Sequence, residues 1–287
     1  MPNHTAIDTL DLPGGGTIPK LGLGTWYMGE RKTEFDHEVG AVRYAMDRGI
    51  RLIDTAEMYA SGGAEEVIGA AISGATAPAR DKLCIVSKVL PSHAHHDDVI
   101  RACEGSLRRL GTDYIDLYLL HWRGAAPFQE TLDAFAALHA SGKIRHFGVS
   151  NFDMHDMQEW LRCTGGAATA CNQILYNLSR RGPAWDLLAL CQNHHVPVMA
   201  YSPLEQGRLQ NAAALDRVAK RHGVSPLQIA LAWVLAHDNM IAIPKAVKHA
   251  HIDQNIAALD ITLDAEDHKI LDAAFPPPDG PSHLQML

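Results

Sequence analysis

The sequence lacks any long apolar run. Nowhere among its 287 residues do about 18 apolar side chains stand uninterrupted, the length a helix needs to cross a bilayer. No membrane span is expected. Residues 1–10 carry His4 and Asp8 and have no apolar core, so no signal peptide is expected there. Cysteine is sparse and unpatterned. Cys84, Cys103, Cys163, Cys171 and Cys191 are odd in number and form no C-x-x-C pair. Scattered thiols suit a reducing compartment better than a disulfide framework, so a cytoplasmic location is expected. Positive charge is in deficit. Lysine and arginine number 25 against 33 aspartates and glutamates, a formal net charge of −8. That balance argues against a nucleic-acid binder, which needs a basic face, and against attraction to anionic membranes. There is also no charge run, low-complexity block or internal linker.

What remains is an ordinary globular composition, 47% hydrophobic and 20% charged. The length suits one α/β barrel domain spanning residues 1–287, with a monomer as the expected state. Residues 9–18 read as a hairpin turned by Gly14, Gly15 and Gly16. Apolar runs and helical patterns then alternate. Strands are expected at 21–25, 51–54, 83–88, 115–121, 144–150, 169–173, 196–202 and 241–244. Helices are expected at 34–48, 64–72, 97–110, 128–140, 153–162, 184–193, 212–222, 226–237 and 249–259, with a further one at 264–274. Gly49 and Gly111 read as helix stops, and Asp97 as an N-cap. Residues 275–287 contain three consecutive prolines and read as irregular.

Eight strand–helix units joined by right-handed crossovers close into a parallel barrel whose strand C-termini share one mouth. The expected fold is therefore α/β, a (β/α)8 TIM barrel with an N-terminal hairpin cap. An open doubly wound sheet would carry a glycine-rich phosphate loop after its first strand. Gly22-Leu-Gly-Thr-Trp26 lacks the third glycine of that loop.

Polar or aromatic groups stand at the ends of these strands, and four of the mouth's residues define a chemistry: Asp54, Tyr59, Lys88 and His121. A lysine deep in the mouth needs a counter-charge, and Asp54 supplies it. One reading is a structural ion pair. The other is that the ammonium lowers the pKa of the Tyr59 phenol from near ~10 and makes it a better proton donor, with His121 bonding the same carbonyl oxygen. Schiff-base chemistry is disfavoured, because a neighbouring carboxylate stabilises the ammonium. His93, His95 and His96 cluster after the third strand. With no nearby cysteine and no fixed helical spacing they read as a solvated loop, and no metal is expected.

The segments Gly22-Leu-Gly-Thr-Trp26, Leu52-Ile-Asp-Thr-Ala-Glu-Met-Tyr59, Val86-Ser-Lys88, Asp116-Leu-Tyr-Leu-Leu-His121, Gly148-Val-Ser-Asn151, Asn172-Gln173, Ala200-Tyr-Ser-Pro-Leu204 and Ile243-Pro-Lys245 together resemble the aldo-keto reductases, over nearly the whole chain and in order. The wording is most similar to bacterial members that reduce methylglyoxal and other small aldehydes. The resemblance implies hydride transfer from NADPH, with NADH possible, to an aldehyde or ketone. Tyr59 would be the general acid, tuned by Lys88 and Asp54, and His121 would place the carbonyl. Ser150, Asn151 and Gln173 would bond the nicotinamide carboxamide, and Tyr201 would stack on its ring. Ser202 and Leu204 would meet the pyrophosphate, Lys245 the adenosine 2′-phosphate and Asn255 the adenine. Trp26 and Trp122 would line an apolar substrate pocket. The alternative is a nicotinamide-sensing interaction protein with low turnover.

Departures from the family pattern modify these expectations. Ala246 follows Lys245, His251 stands where an arginine is usual, and Gln254 replaces a glutamate. Histidine cannot copy arginine's bidentate grip on phosphate, so the preference for NADPH is expected to be modest, with Lys248 compensating in part. The loop after Leu204 is short, which suggests an incomplete clamp on the pyrophosphate. The segment after Phe275 is short too, which suggests an open pocket. Tyr176-Asn177-Leu178 lacks the His-Pro common after the family's Asn-Gln and carries no functional reading at this level.

Overall fold

The structure is a computed structural model that describes residues 7–74, 76–209 and 212–287. Residues 1–6, part of the segment expected to hold no signal peptide, and residues 210–211, part of the loop expected to be short, lie outside the described residues.

A two-stranded antiparallel hairpin comes first, β1 (Thr9–Asp11) and β2 (Thr17–Pro19), with Leu10 opposite Ile18. Eight parallel strands follow: β3 (Gly22–Gly24), β4 (Leu52–Asp54), β5 (Cys84–Val89), β6 (Ile115–Leu120), β7 (Ile144–Ser150), β8 (Asn172–Leu175), β9 (Val198–Tyr201) and β10 (Met240–Ala242). Each pairs with its sequence neighbour. Parallel bridges from Leu21 to Ala242 and from Gly24 to Lys245 join the two edges into a nearly closed barrel. That seam requires glycine. A Cβ on Gly24 would lie 2.7 Å from the Ile243 carbonyl oxygen.

Helices α1 (Phe35–Asp47), α2 (Gly63–Ile72), α3 (His96–Leu110), α4 (Phe128–Ala140), α5 (Met154–Arg162) and α6 (Leu187–Asn193) connect successive strands. α7 (Ala212–His222) and α8 (Pro226–Leu235) lie between β9 and β10, and α9 (His249–Ala257) and α10 (Ala265–Ala274) follow the barrel. Local chemistry sets several ends. Gly111 takes the left-handed conformation that closes α3, with φ of 62°. Ser225 with Gln228, and Asp264 with Asp267, form capping boxes that start α8 and α10. Among the described residues no helix is long and apolar enough to cross a membrane.

Side-chain alternation divides the core in two. Leu52, Val86, Leu117, Leu119, Cys171, Met199 and Ile241 fill the barrel interior, and Leu12 and Ile18 of the hairpin segment cap the same cluster. The other apolar residues pack the barrel's outer face against the helices.

Two expectations shift. The sixth barrel strand begins at Asn172, not at residue 169. The Thr169 hydroxyl is taken up by the preceding turn, donating to Gly166 O while accepting from the Trp160 indole. An apolar run carries no mark of that competition. Asp97 is not an N-cap: α3 starts one residue earlier, and the Asp97 carboxylate pairs with His96.

Candidate active site

The inward-facing alternation that fills the barrel also sets the mouth. Asp54 ends β4, Lys88 lies one residue before the end of β5, His121 follows β6, Ser150 ends β7, Gln173 sits on β8 and Tyr201 ends β9. Strand register then brings residues distant in sequence to one level, as where Ser150 pairs with Gln173.

Lys88 is fully buried. Its ammonium donates to both Asp54 carboxylate oxygens at 2.9 Å, to Thr55 O at 2.7 Å and to the Tyr59 hydroxyl oxygen at 3.1 Å. An ammonium has three protons and no acceptor, so these groups satisfy it. Tyr59 oxygen is thereby an acceptor toward Lys88, and its own proton remains available to the cavity. Gln173 Nε2 donates to Asp54 Oδ1 at 2.7 Å. Burial pushes the Asp54 carboxyl up and the Lys88 ammonium down, and each charge opposes the shift of the other.

The expected lowering of the Tyr59 pKa is corrected. Burial pushes the phenol well above its ordinary value, and the Asp54 charge pushes it further. The phenol therefore keeps its proton at neutral pH, and Lys88 donates to its oxygen. Burial, followed by the Lys88 charge, brings the His121 pKa down to about 2. Its ring is neutral at pH 7, packs edge-on to Tyr59 with centroids 5.9 Å apart, and leaves Nδ1 buried without a partner.

Two cavities meet at Tyr59. A pocket of about 240 Å³ is lined by Trp26, Met58, Tyr59, His121, Trp122, Ser150, Asn151, Gln173, Tyr201, Met286 and Leu287. A channel of about 380 Å³ runs from Asp54, Tyr59 and Tyr201 past Ser202, Leu204 and Gln206 to Lys245, His251, Gln254 and Asn255. Trp26, Tyr59 and Tyr201 line both. All the site residues anticipated above line one cavity or the other, except Lys88, which lies beneath them. Lys248, anticipated as a compensating charge, instead occupies the N-cap position of α9 and is not among the channel's lining residues.

The polar groups are already ordered. Ser150 donates to Gln173 O at 2.9 Å, Asn151 Nδ2 donates to His121 O at 3.1 Å, and the Tyr201 hydroxyl donates to Asn151 Oδ1 at 2.9 Å. Ser202, Glu205 and Gln206 all have positive φ, between 45° and 54°. Non-glycine residues rarely adopt that conformation, and such strain concentrates at ligand clamps. Exposed Lys245 at one end of the channel and the ring of Tyr201 at the other fit an anionic dinucleotide with a planar head.

Several lining residues were given no role from the sequence: Tyr27, which stacks on Trp26 with centroids 4.5 Å apart, Met58, Leu227, Met286 and Leu287. The segment after Phe275 is irregular but does not leave the pocket open, because it returns to the mouth and Met286 and Leu287 line it. The three histidines bond separate carboxylates: His93 to Glu57, His95 to Glu130 and His96 to Asp97.

A parallel barrel thus holds a buried lysine, a carboxylate and a phenol at its C-terminal mouth, where a pocket and a channel meet. The chain belongs to the aldo/keto reductase family, whose family model matches residues 20–275. It is 48% identical to methylglyoxal reductase YeaE of Escherichia coli strain K12, over 97% of this chain and 98% of that one. Identity to the glyoxal reductase of Bacillus subtilis strain 168 is 35%, over 93% and 92%. An aldo-keto reductase of Klebsiella pneumoniae, crystallised in complex with NADPH, superposes with a TM-score of 0.93 at 49% identity, covering 99% of this chain and all of that one.

Proposed function

We propose that this protein reduces small and aromatic aldehydes to alcohols with NADPH, and that Tyr59 is the general acid. The observation that carries this reading is the 3.1 Å hydrogen bond from Lys88 to the Tyr59 oxygen at the point where channel and pocket meet. When bound, the reduced nicotinamide supplies the hydride. The chain's own residues do the rest. Tyr201 flanks the planar head, while Ser150, Asn151 and Gln173 offer donors and acceptors to a carboxamide. Lys245 and His251 offer charge and a hydrogen-bonding ring to the adenosine end. In the pocket, Tyr59 releases its proton to the carbonyl oxygen, and the neutral His121 ring, which carries one N–H, orients that oxygen. Trp26, Trp122 and Met58 provide apolar walls. The crystallised NADPH complex of the Klebsiella relative and the methylglyoxal and glyoxal reductase names of the others support this reading. Residues 1–287 would act as one domain, in a reducing compartment suited to five free cysteines.

The test is initial-rate oxidation of NADPH and NADH with methylglyoxal and several aromatic aldehydes. Turnover faster with NADPH supports the reading. Tight NADPH binding without turnover of any aldehyde would sink it in favour of a cofactor-sensing protein.

A further inference from the structure

One side chain touches both ligand-bearing segments. Arg180 lies in the loop after β8, in a turn closed by hydrogen bonds from its own N–H to Asn177 O and from Ser179 N–H to the Asn177 side chain. Its Nη2 donates to Glu205 Oε1 at 2.7 Å, and its Nε reaches both Glu205 oxygens at 3.2 Å. Its Nη1 donates to Gln285 Oε1 at 2.9 Å. Fully buried Asn177 completes the arrangement, donating to Ser202 O at 2.9 Å and to Glu205 Oε2 at 2.8 Å. Glu205 belongs to the positive-φ segment along the channel, and Gln285 directly precedes Met286 and Leu287 in the pocket wall.

Neighbouring contacts seat the same returning segment. Arg181 donates to Asp272 and to Phe275 O, and Gly182 admits Ser282, whose Oγ lies 2.4 Å from where a Cβ would be. An isolated surface ion pair contributes little, about 0–1 kcal/mol. This one differs in two ways: Glu205 is only 13% exposed, and the planar guanidinium fork spends separate edges on separate segments.

We propose that Arg180 is a positioning residue that couples the dinucleotide channel to the carbonyl pocket. This rests on the functional reading above. A dinucleotide seated against segment 202–207 braces Glu205, and thereby the guanidinium. The fixed guanidinium holds Gln285, which sets Met286 and Leu287 against the substrate. Such coupling is reciprocal, so a change in the pocket segment must alter dinucleotide affinity by the same factor by which the dinucleotide alters the pocket.

The test is amide hydrogen exchange at residues 282–287 with and without NADPH, with NADPH affinity read by fluorescence titration. Expected are exchange slowed by about fivefold or more on binding, the low end of allosteric couplings, and loss of that slowing in Arg180→Met. Gln285→Ala should weaken NADPH by a similar factor despite lying outside the channel, and Arg180→Lys should restore only part. Exchange indifferent to NADPH, or slowed equally in Arg180→Met, overturns the coupling. Thermal stabilities of Glu205→Gln, Gln285→Ala and the double variant, all without cofactor, give a separate reading. Additive effects there overturn the proposal even if aldehyde turnover fails, whereas failed turnover alone removes only the assigned reaction.

Discussion

Tyr59 accepts from Lys88 and keeps a proton to give, so its role is carried by a single oxygen. Tyr59→Phe removes that proton and little else. Turnover should fall about 10²–10⁴-fold, the usual range for a general acid, while NADPH still titrates the protein's fluorescence. Near-normal turnover in Tyr59→Phe would show that the acid is elsewhere. At the other end of the channel, His251 lines the wall along with Lys245 and supplies a ring where a fork would grip phosphate better. His251→Arg should raise the NADPH-over-NADH ratio of kcat/KM by about tenfold, the value of one added charge-assisted hydrogen bond. An unchanged ratio would remove this position from phosphate recognition. Pairing of Asp54 with Lys88 was legible in the sequence, because a lysine after the apolar Ile85-Val86 has few ways to stay charged. The direction of the Tyr59 shift was not. It depends on how much water the folded mouth excludes, which no run of residues encodes.

Elements place these side chains through strand register, and the seam between β3 and β10 leaves no room for a Cβ at Gly24. Gly24→Ala drives a methyl against the Ile243 carbonyl oxygen, an overpacking that costs about 1–3 kcal/mol. Denaturant unfolding should show the midpoint lowered and the slope unchanged, because the change strains the native seam and not the unfolded chain. A variant as stable as the native protein would mean that the seam yields freely. The starts of α5 and α8 lie within one residue of those expected, and Asp153 and Ser225 cap them, their side chains accepting from Asp156 N and Gln228 N. Asp97 was misleading because its carboxylate has a nearer partner, the ring of His96. The start of β8 was misread because the Thr169 hydroxyl commits to a local turn with Gly166 and to the Trp160 indole, contacts that an apolar run does not mark.

At the scale of the whole molecule, buried and half-buried imidazoles link stability to pH. Burial lowers the pKa of His121, His146 and His237. The unfolded chain therefore binds more protons than the folded one below about pH 6.5, and stability falls as pH drops through that point toward the folded values. His121, brought down to about 2, should alone cost about 2 kcal/mol between pH 7 and pH 5. Melting curves across that interval should shift downward in the native protein and less in His121→Asn. An equal shift in both would assign the acid sensitivity to other groups.

The order of the eight strands, the hairpin cap and the residues at the mouth followed from the sequence alone, because each depends on local periodicity, turn chemistry and the side-chain type at a strand end. Those features repeat every two or four residues and survive in a one-dimensional reading. Joining the channel to the pocket was decided only by tertiary structure. Arg180 meets Glu205 across 25 residues and Gln285 across 105. At such separations the partner of a charged side chain is chosen by where the barrel delivers each loop, and neither propensity nor pattern records that choice. The same physics explains why Met286 and Leu287, unremarkable in the sequence, line the pocket of the folded protein.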